Sequence, residues 1–206
     1  MTTNTIPNWL KKLPNRLTFL RILSIPIVVY FMSLGEVAPE LQHFWDISSL
    51  TKSSVTDVAA ACIFTLAALT DFFDGWIARH FKLETVLGKL LDPLADKLLV
   101  VSAMIILVEK HRMNGVIAVI IIVRDLGLNA IRLAALDEGI SIPSNSLGKL
   151  KTTFQDVGIV CLIICAPLGV IPFQYLGYIF IWLALLAGII SASQYLFHYA
   201  KQLKKA

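Results

Sequence analysis

Asp71-Phe72-Phe73-Asp74-Gly75-Trp76-Ile77-Ala78-Arg79, then eight residues, then Gly88-Lys89-Leu90-Leu91-Asp92-Pro93-Leu94-Ala95-Asp96: this stretch sets four carboxylates inside an apolar chain. Of the 206 residues, 57% are hydrophobic and only 16% charged, and the mean hydropathy is +0.75. A soluble domain carries about 25% charged residues. A disordered chain has the reverse composition, and three cysteines are too few for a disulfide scaffold. The composition therefore points to one compact domain, residues 1–206, built as a bundle in a membrane.

Six apolar runs surround and include the carboxylates: 17–34, 55–79, 87–108, 116–133, 152–168 and 173–199. Each suffices for about 30 Å of hydrocarbon at about 1.5 Å per residue, some only with their polar ends included. A helix satisfies its own backbone in lipid, and the period-2 alternation of a membrane barrel is absent. The expected fold is thus an all-α integral membrane protein with six transmembrane helices.

Lys and Arg set its orientation. With the N-terminus in the cytosol, only Lys52, Lys110 and Arg112 of the 18 basic residues fall outside. Both termini are expected in the cytosol, with a multi-pass location in the cell (inner) membrane. The net charge of +4 suits an anionic inner leaflet rather than nucleic acid. Segment 1–16 carries Trp9 and Leu10 beside Lys11 and Lys12, which predicts a short interfacial helix before the bundle at 17–199. Residues 200–206 form a basic tail. No A-x-A-like site follows the first run, so signal cleavage is not expected. Cys62, Cys161 and Cys165 are expected to be small buried thiols, since no His lies in reach for a metal site.

The four aspartates lie deep. Asp96 is roughly 18 Å inward from the outer end of its run, and Asp71 roughly 24 Å along its own. An ionised Asp at mid-helix costs about 2.5–3.5 kcal/mol on the insertion scale. Such residues face a water-filled cavity or a cation. Asp71, Asp74, Gly75, Ala78 and Arg79 share one helical face, and Gly88, Asp92 and Asp96 share another. Residues 80–87 allow a tight cytosolic reversal, so the carboxylates are expected to converge across a hairpin. Hard oxygen ligands without His or Cys select Mg²⁺, Mn²⁺ or Ca²⁺. Four carboxylates suffice for a pair of such ions.

The pattern D-x-x-D-G-x-x-A-R, eight residues, G-x-x-x-D-x-x-x-D is complete here and resembles the signature of the CDP-alcohol phosphatidyltransferases. That resemblance implies a six-helix membrane enzyme, usually a homodimer, that displaces CMP from a CDP-linked lipid with an alcohol. It implies that Asp71, Asp74, Asp92 and Asp96 hold two divalent cations, Mg²⁺ or Mn²⁺. Asp96 is also implied as general base beside Asp92, although ligation would lower its basicity. Gly75, Ala78, Arg79 and Gly88 are implied in the CDP-lipid pocket, where Arg79 can pair with phosphate. Pro14-Asn15-Arg16-Leu17-Thr18-Phe19-Leu20-Arg21 resembles a family element that helps hold CDP, through Asn15, Thr18 and Arg21.

The fourth run has a second anomaly: only Val116 to Val123 precede Arg124 and Asp125, which sets Arg124 roughly 12 Å from the outer edge. Asp125, Asn129 and Arg132 follow at i, i+4 and i+7, and Lys149 and Lys151 open the fifth run. Four cations suggest an acceptor that itself carries phosphate. Arg124-Asp125 with Arg132 and Gly148-Lys149-Leu150-Lys151-Thr152 resembles the branch of the family whose acceptor is glycerol 3-phosphate. The partners implied are CDP-diacylglycerol, glycerol 3-phosphate, the CMP product and the bilayer, with the active site facing the cytosol. Inositol phosphate and serine are the sister acceptors. A transporter with intramembrane carboxylates is the rival class, but it needs polar residues across the full depth, and the outer halves of these runs are apolar.

Overall fold

The computed structural model of the chain describes residues 8–35, 55–81, 86–137, 146–165 and 172–203. Within its helices the side chains at 8–18, 71–81, 86–93, 96, 133, 136, 137, 146 and 203 lie outside the description. Among the described residues there are six α-helices and no strand: α1 (Asn8–Leu34), α2 (Val55–Phe81), α3 (Val86–Glu109), α4 (Gly115–Asp137), α5 (Ser146–Ile164) and α6 (Phe173–Leu203). Each apolar run has become one helix, and the all-α expectation holds.

Several boundaries differ from the sequence reading; α4 runs on to Asp137, four residues past its expected end, and α5 begins at Ser146, six before its expected start. The interfacial helix expected before residue 17 is not separate: α1 runs unbroken from Asn8, through Pro14. An interior proline removes one backbone donor and crowds the carbonyl four residues back, which kinks a helix or breaks it; here the helix continues across it. The fifth run was expected to reach residue 168, but α5 stops at Ile164 because Cys165 is left-handed, with φ 57°. Its N–H closes onto the Cys161 carbonyl at 2.9 Å, and Pro167 follows, as is common just beyond a helix end. α6 continues to Leu203, four residues past the expected end.

α6 is long and apolar enough to cross a membrane, with 30 residues, Phe173–Gln202, at a mean hydropathy of 2.0. Phe19–Leu34 and Val55–Thr70 are shorter apolar stretches. Large apolar side chains are exposed along α1, α4 and α6, among them Leu23, Tyr30, Val119, Val123, Ile189 and Phe197. Such a surface is unfavourable in water and at no disadvantage in lipid.

The helices fall into two compact units. The first comprises Met1–Glu36 and Ser53–Ile106. In it α1 packs on α2, antiparallel, with Gly35 at the end of α1 against Asp57 in the first turn of α2. A Cβ at Gly35 would fall on the Asp57 carboxylate, so the close approach requires glycine. Val28, Met32, Ala60, Phe64, Leu99 and Met104 are buried here. Cys62 is exposed, against the buried-thiol expectation, because it faces away from the α2 positions that pack; Cys161 and Cys165 are buried as expected.

The second unit comprises Val37–Lys52 and Leu107–Ala206. Its entry is a tight reversal. The Arg112 N–H bonds to the Leu107 carbonyl at 2.8 Å and the His111 N–H to Val108 at 3.1 Å, with His111 left-handed at φ 55°. This is the Schellman arrangement that ends a helix, with histidine in the usual place of glycine. Asn114 then caps α4: its Oδ1 accepts from the Val116 N–H at 2.9 Å. Both α4 and α5 pack on α6.

The α5–α6 seam is set by glycines. Gly148 faces Ser191, Lys151 faces Gly188, Gly158 faces Ile181 and Leu162 faces Gly177, in one antiparallel register. A Cβ at Gly158 would lie 2.9 Å from Ile181, and one at Gly177 2.7 Å from Leu162. Small residues let two backbones approach where lipid supplies no hydrophobic drive between helices.

Candidate functional site

The buried face of α2 carries Ala60, Phe64 and Ala67. At about 100° per residue, positions 71, 74, 75 and 78 fall within the same arc of that helix. On α3, Ala95, Leu99 and Ala103 are buried, and positions 88, 92 and 96 share their arc. Each half of the motif therefore continues, by helical position, the inward stripe of its own helix. The side chains of Asp71, Asp74, Gly75, Ala78, Arg79, Gly88, Asp92 and Asp96 themselves lie outside the described residues, as do those of Asn15 and Thr18.

Arg21 is described, and it is buried, with only 1% of its surface exposed. It stands at one end of a groove of about 300 Å³ between α1 and α2, with Leu23, Ile27, Ile63 and Leu66 along the walls. Two hydroxyls nearby are turned onto their own helices. Ser24 Oγ donates to the Arg21 carbonyl at 2.7 Å, and Thr70 Oγ1 to the Leu66 carbonyl at 2.6 Å. Back-bonding of this kind turns both hydroxyls onto their helices, so that among the described lining residues Arg21 is the charged one.

The second unit holds the other charged cluster. Arg124 Nε donates to the Gly188 carbonyl of α6 at 3.0 Å, and its Nη1 meets Asp125 Oδ1 at 2.9 Å. Lys151 Nζ of α5 is bonded to the other carboxylate oxygen, Oδ2. The structure thus brings two of the four expected acceptor cations together around Asp125. The other two are exposed: Lys149 on α5, and Arg132, whose guanidinium carbon sits 5.8 Å above the Tyr195 ring. That distance is within reach of a cation–π interaction.

Sequence reasoning singled out Arg124 and Asp125 as a polar break in an apolar run, but it missed the contribution of α6. Gly188 acts through a backbone carbonyl and Tyr195 through a ring face, and neither leaves a charge pattern to read. Among the described residues no group of three or more His, Cys, Asp or Glu could hold a metal ion. The four motif aspartates are not in that set.

Comparison with known proteins agrees with the motif. The family profile of the CDP-alcohol phosphatidyltransferases matches residues 11–190. A CDP-diacylglycerol–glycerol-3-phosphate 3-phosphatidyltransferase of Rickettsia typhi is 34% identical over 187 residues, covering 90% of this chain and 96% of that protein. The protein of the same name from Bacillus subtilis is 35% identical over 189 residues, covering 89% and 92%. A probable phosphatidylglycerophosphate synthase of Mycobacterium tuberculosis is 35% identical over 160 residues, covering 77% and 69%. A profile match over most of the length, with relatives of this identity across nine-tenths of it, leaves one assignment: the chain belongs to the CDP-alcohol phosphatidyltransferases and is an enzyme of phosphatidyl transfer.

Proposed function

We propose that this enzyme transfers the phosphatidyl group of CDP-diacylglycerol to sn-glycerol 3-phosphate, releasing CMP and phosphatidylglycerol phosphate. What supports the reading is helical register: positions 71, 74, 75 and 78 of α2 and 88, 92 and 96 of α3 fall in the arcs that the buried Ala60, Phe64, Ala67, Ala95, Leu99 and Ala103 define. The names of the relatives supply the acceptor.

The donor set of Asp71, Asp74, Asp92 and Asp96, all hard oxygen without His or Cys, fits two divalent cations such as Mg²⁺ or Mn²⁺. When bound, these supply charge neutralisation at the diphosphate and at the departing CMP. Asp96 takes the proton of the acceptor hydroxyl. Gly75, Ala78 and Gly88 leave room for the nucleotide, and Arg79 pairs with phosphate. In the antiparallel register of α1 and α2, the turn holding Asn15, Thr18 and Arg21 runs alongside the α2 turns that hold the aspartates. Those three residues therefore belong to the same CDP site. The groove beside Arg21 offers the acyl chains an apolar path with a cation at its head.

Arg124, Arg132, Lys149 and Lys151 take the phosphate of the acceptor. We place all six helices across the cell membrane with both termini in the cytosol, as the Lys and Arg distribution supports. The test is CMP release by purified enzyme in detergent, with CDP-diacylglycerol, Mg²⁺ or Mn²⁺, and one acceptor at a time. Release is expected with glycerol 3-phosphate and not with serine. Release only with inositol phosphate or serine would overturn the acceptor and leave the family standing.

A further inference from the structure

We propose that Asp125 is a positioning residue for the acceptor: it pairs with Arg124 and Lys151 and holds both aimed, so that a phosphate meets a prepared cationic seat. The proposal rests on the phosphatidyl-transfer reading above and adds a residue and a helix to it. Lys151 has 2% of its side chain exposed and Asp125 6%, while Arg124 keeps 17%. A buried charge without a counter-charge is costly, and two cations side by side repel. Asp125 answers both, giving one carboxylate oxygen to each cation.

The same contacts set direction. The Arg124 guanidinium is pinned at Nε by the Gly188 carbonyl and at Nη1 by Asp125. Its remaining N–H groups, in the fixed fork of a guanidinium, are left for a ligand. Gly188 contributes through its backbone carbonyl; a Cβ there would stand 3.5 Å from both Arg124 Nε and Lys151 Cγ, in ordinary van der Waals contact. Helix α4 supplies the carboxylate and one cation, α5 the second cation and α6 the carbonyl. Arg124, at the more exposed end of the tie, keeps guanidinium donors that the tie does not use.

The experiment measures both apparent KM values and, independently of turnover, the rise in thermal stability caused by each substrate. In Asp125→Asn the KM for glycerol 3-phosphate should rise about tenfold or more, while that for CDP-diacylglycerol stays within about twofold. The variant should lose stabilisation by glycerol 3-phosphate and keep stabilisation by the lipid. Asp125→Glu should recover part of the acceptor affinity. Equal changes in both KM values, or an unchanged acceptor KM, would overturn the proposal. If Asp125→Asn does not fold, Arg124→Lys serves: it keeps the charge, loses the Gly188 bond, and should show the same acceptor-selective rise. Absence of CMP release by the unmodified enzyme with glycerol 3-phosphate would instead defeat the acceptor reading, a distinct outcome.

Discussion

Arg112 Nη1 donates a 2.6 Å hydrogen bond to the carbonyl oxygen of Ile163, 51 residues away in sequence. Ile163 lies in the last turn of α5, where carbonyls have no partner within the helix and carry the negative end of its dipole. The backbone of Arg112 meanwhile closes α3, through its N–H to Leu107. One residue thus finishes two helices. Its side chain is 2% exposed, so the lost bond would leave a buried acceptor. Arg112→Ala should cost about 2 kcal/mol, read as a lower midpoint in thermal unfolding in detergent, with Arg112→Lys intermediate. A midpoint unchanged in both would show that the bond carries no stability.

The α5–α6 seam makes a paired prediction. A Cβ at Gly177 would fall 2.7 Å from the Leu162 side chain and 3.1 Å from its backbone nitrogen, which cannot move aside cheaply. Gly177→Ala should destabilise by about 1–3 kcal/mol. Gly127, in the middle of α4, has nothing within 4 Å of the same added atom. There alanine removes only the helical penalty of glycine, so Gly127→Ala should be neutral or stabilising by up to about 1 kcal/mol. Thermal midpoints of the two variants moving in the same direction would contradict this packing.

The number, order and type of the helices were legible because hydrophobic run length reports directly on helices in lipid. The aspartate motif was legible because carboxylates in such runs are costly and stand out. What could not be read was set by backbone geometry. Nothing in the composition of 152–168 announces that Cys165 turns left-handed and stops α5. Likewise the run of 31 residues in α6 looks featureless, although the Gly188 carbonyl and the Tyr195 ring receive Arg124 and Arg132 from α4. Cys62 was misjudged for a related reason: an apolar helix in lipid can expose a thiol at no cost, so apolar surroundings do not imply burial.

The two roles proposed for the aspartates separate by titration with metal. Asp92→Asn removes a charged ligand and should raise the concentration of Mg²⁺ or Mn²⁺ needed for half-maximal CMP release. Saturating Mn²⁺ should restore part of the activity. Asp96→Asn removes the proton acceptor and should lower kcat by at least about 100-fold, with no rescue by metal. EDTA should abolish activity in the unmodified enzyme. Rescue of both variants to the same extent would assign Asp96 to ligation alone.

Arg132 offers a graded test of the acceptor end. Its guanidinium lies 5.8 Å from the Tyr195 ring centroid, so the ring restrains a side chain that is otherwise exposed. Arg132→Ala removes a charge proposed to meet the acceptor phosphate and should raise the glycerol 3-phosphate KM about tenfold, with the CDP-diacylglycerol KM little changed. Tyr195→Leu removes only the restraint, worth about 0.5–1 kcal/mol at an exposed site, and should raise the same KM by about two- to fivefold. Arg132→Lys should fall between them, because lysine keeps the charge and loses the planar stacking surface. The double variant Arg132→Ala with Tyr195→Leu should be no worse than Arg132→Ala alone, since the ring acts only through the cation. Additive losses would mean that Tyr195 contributes by a separate route, and equal effects on both substrates would remove Arg132 from the acceptor site.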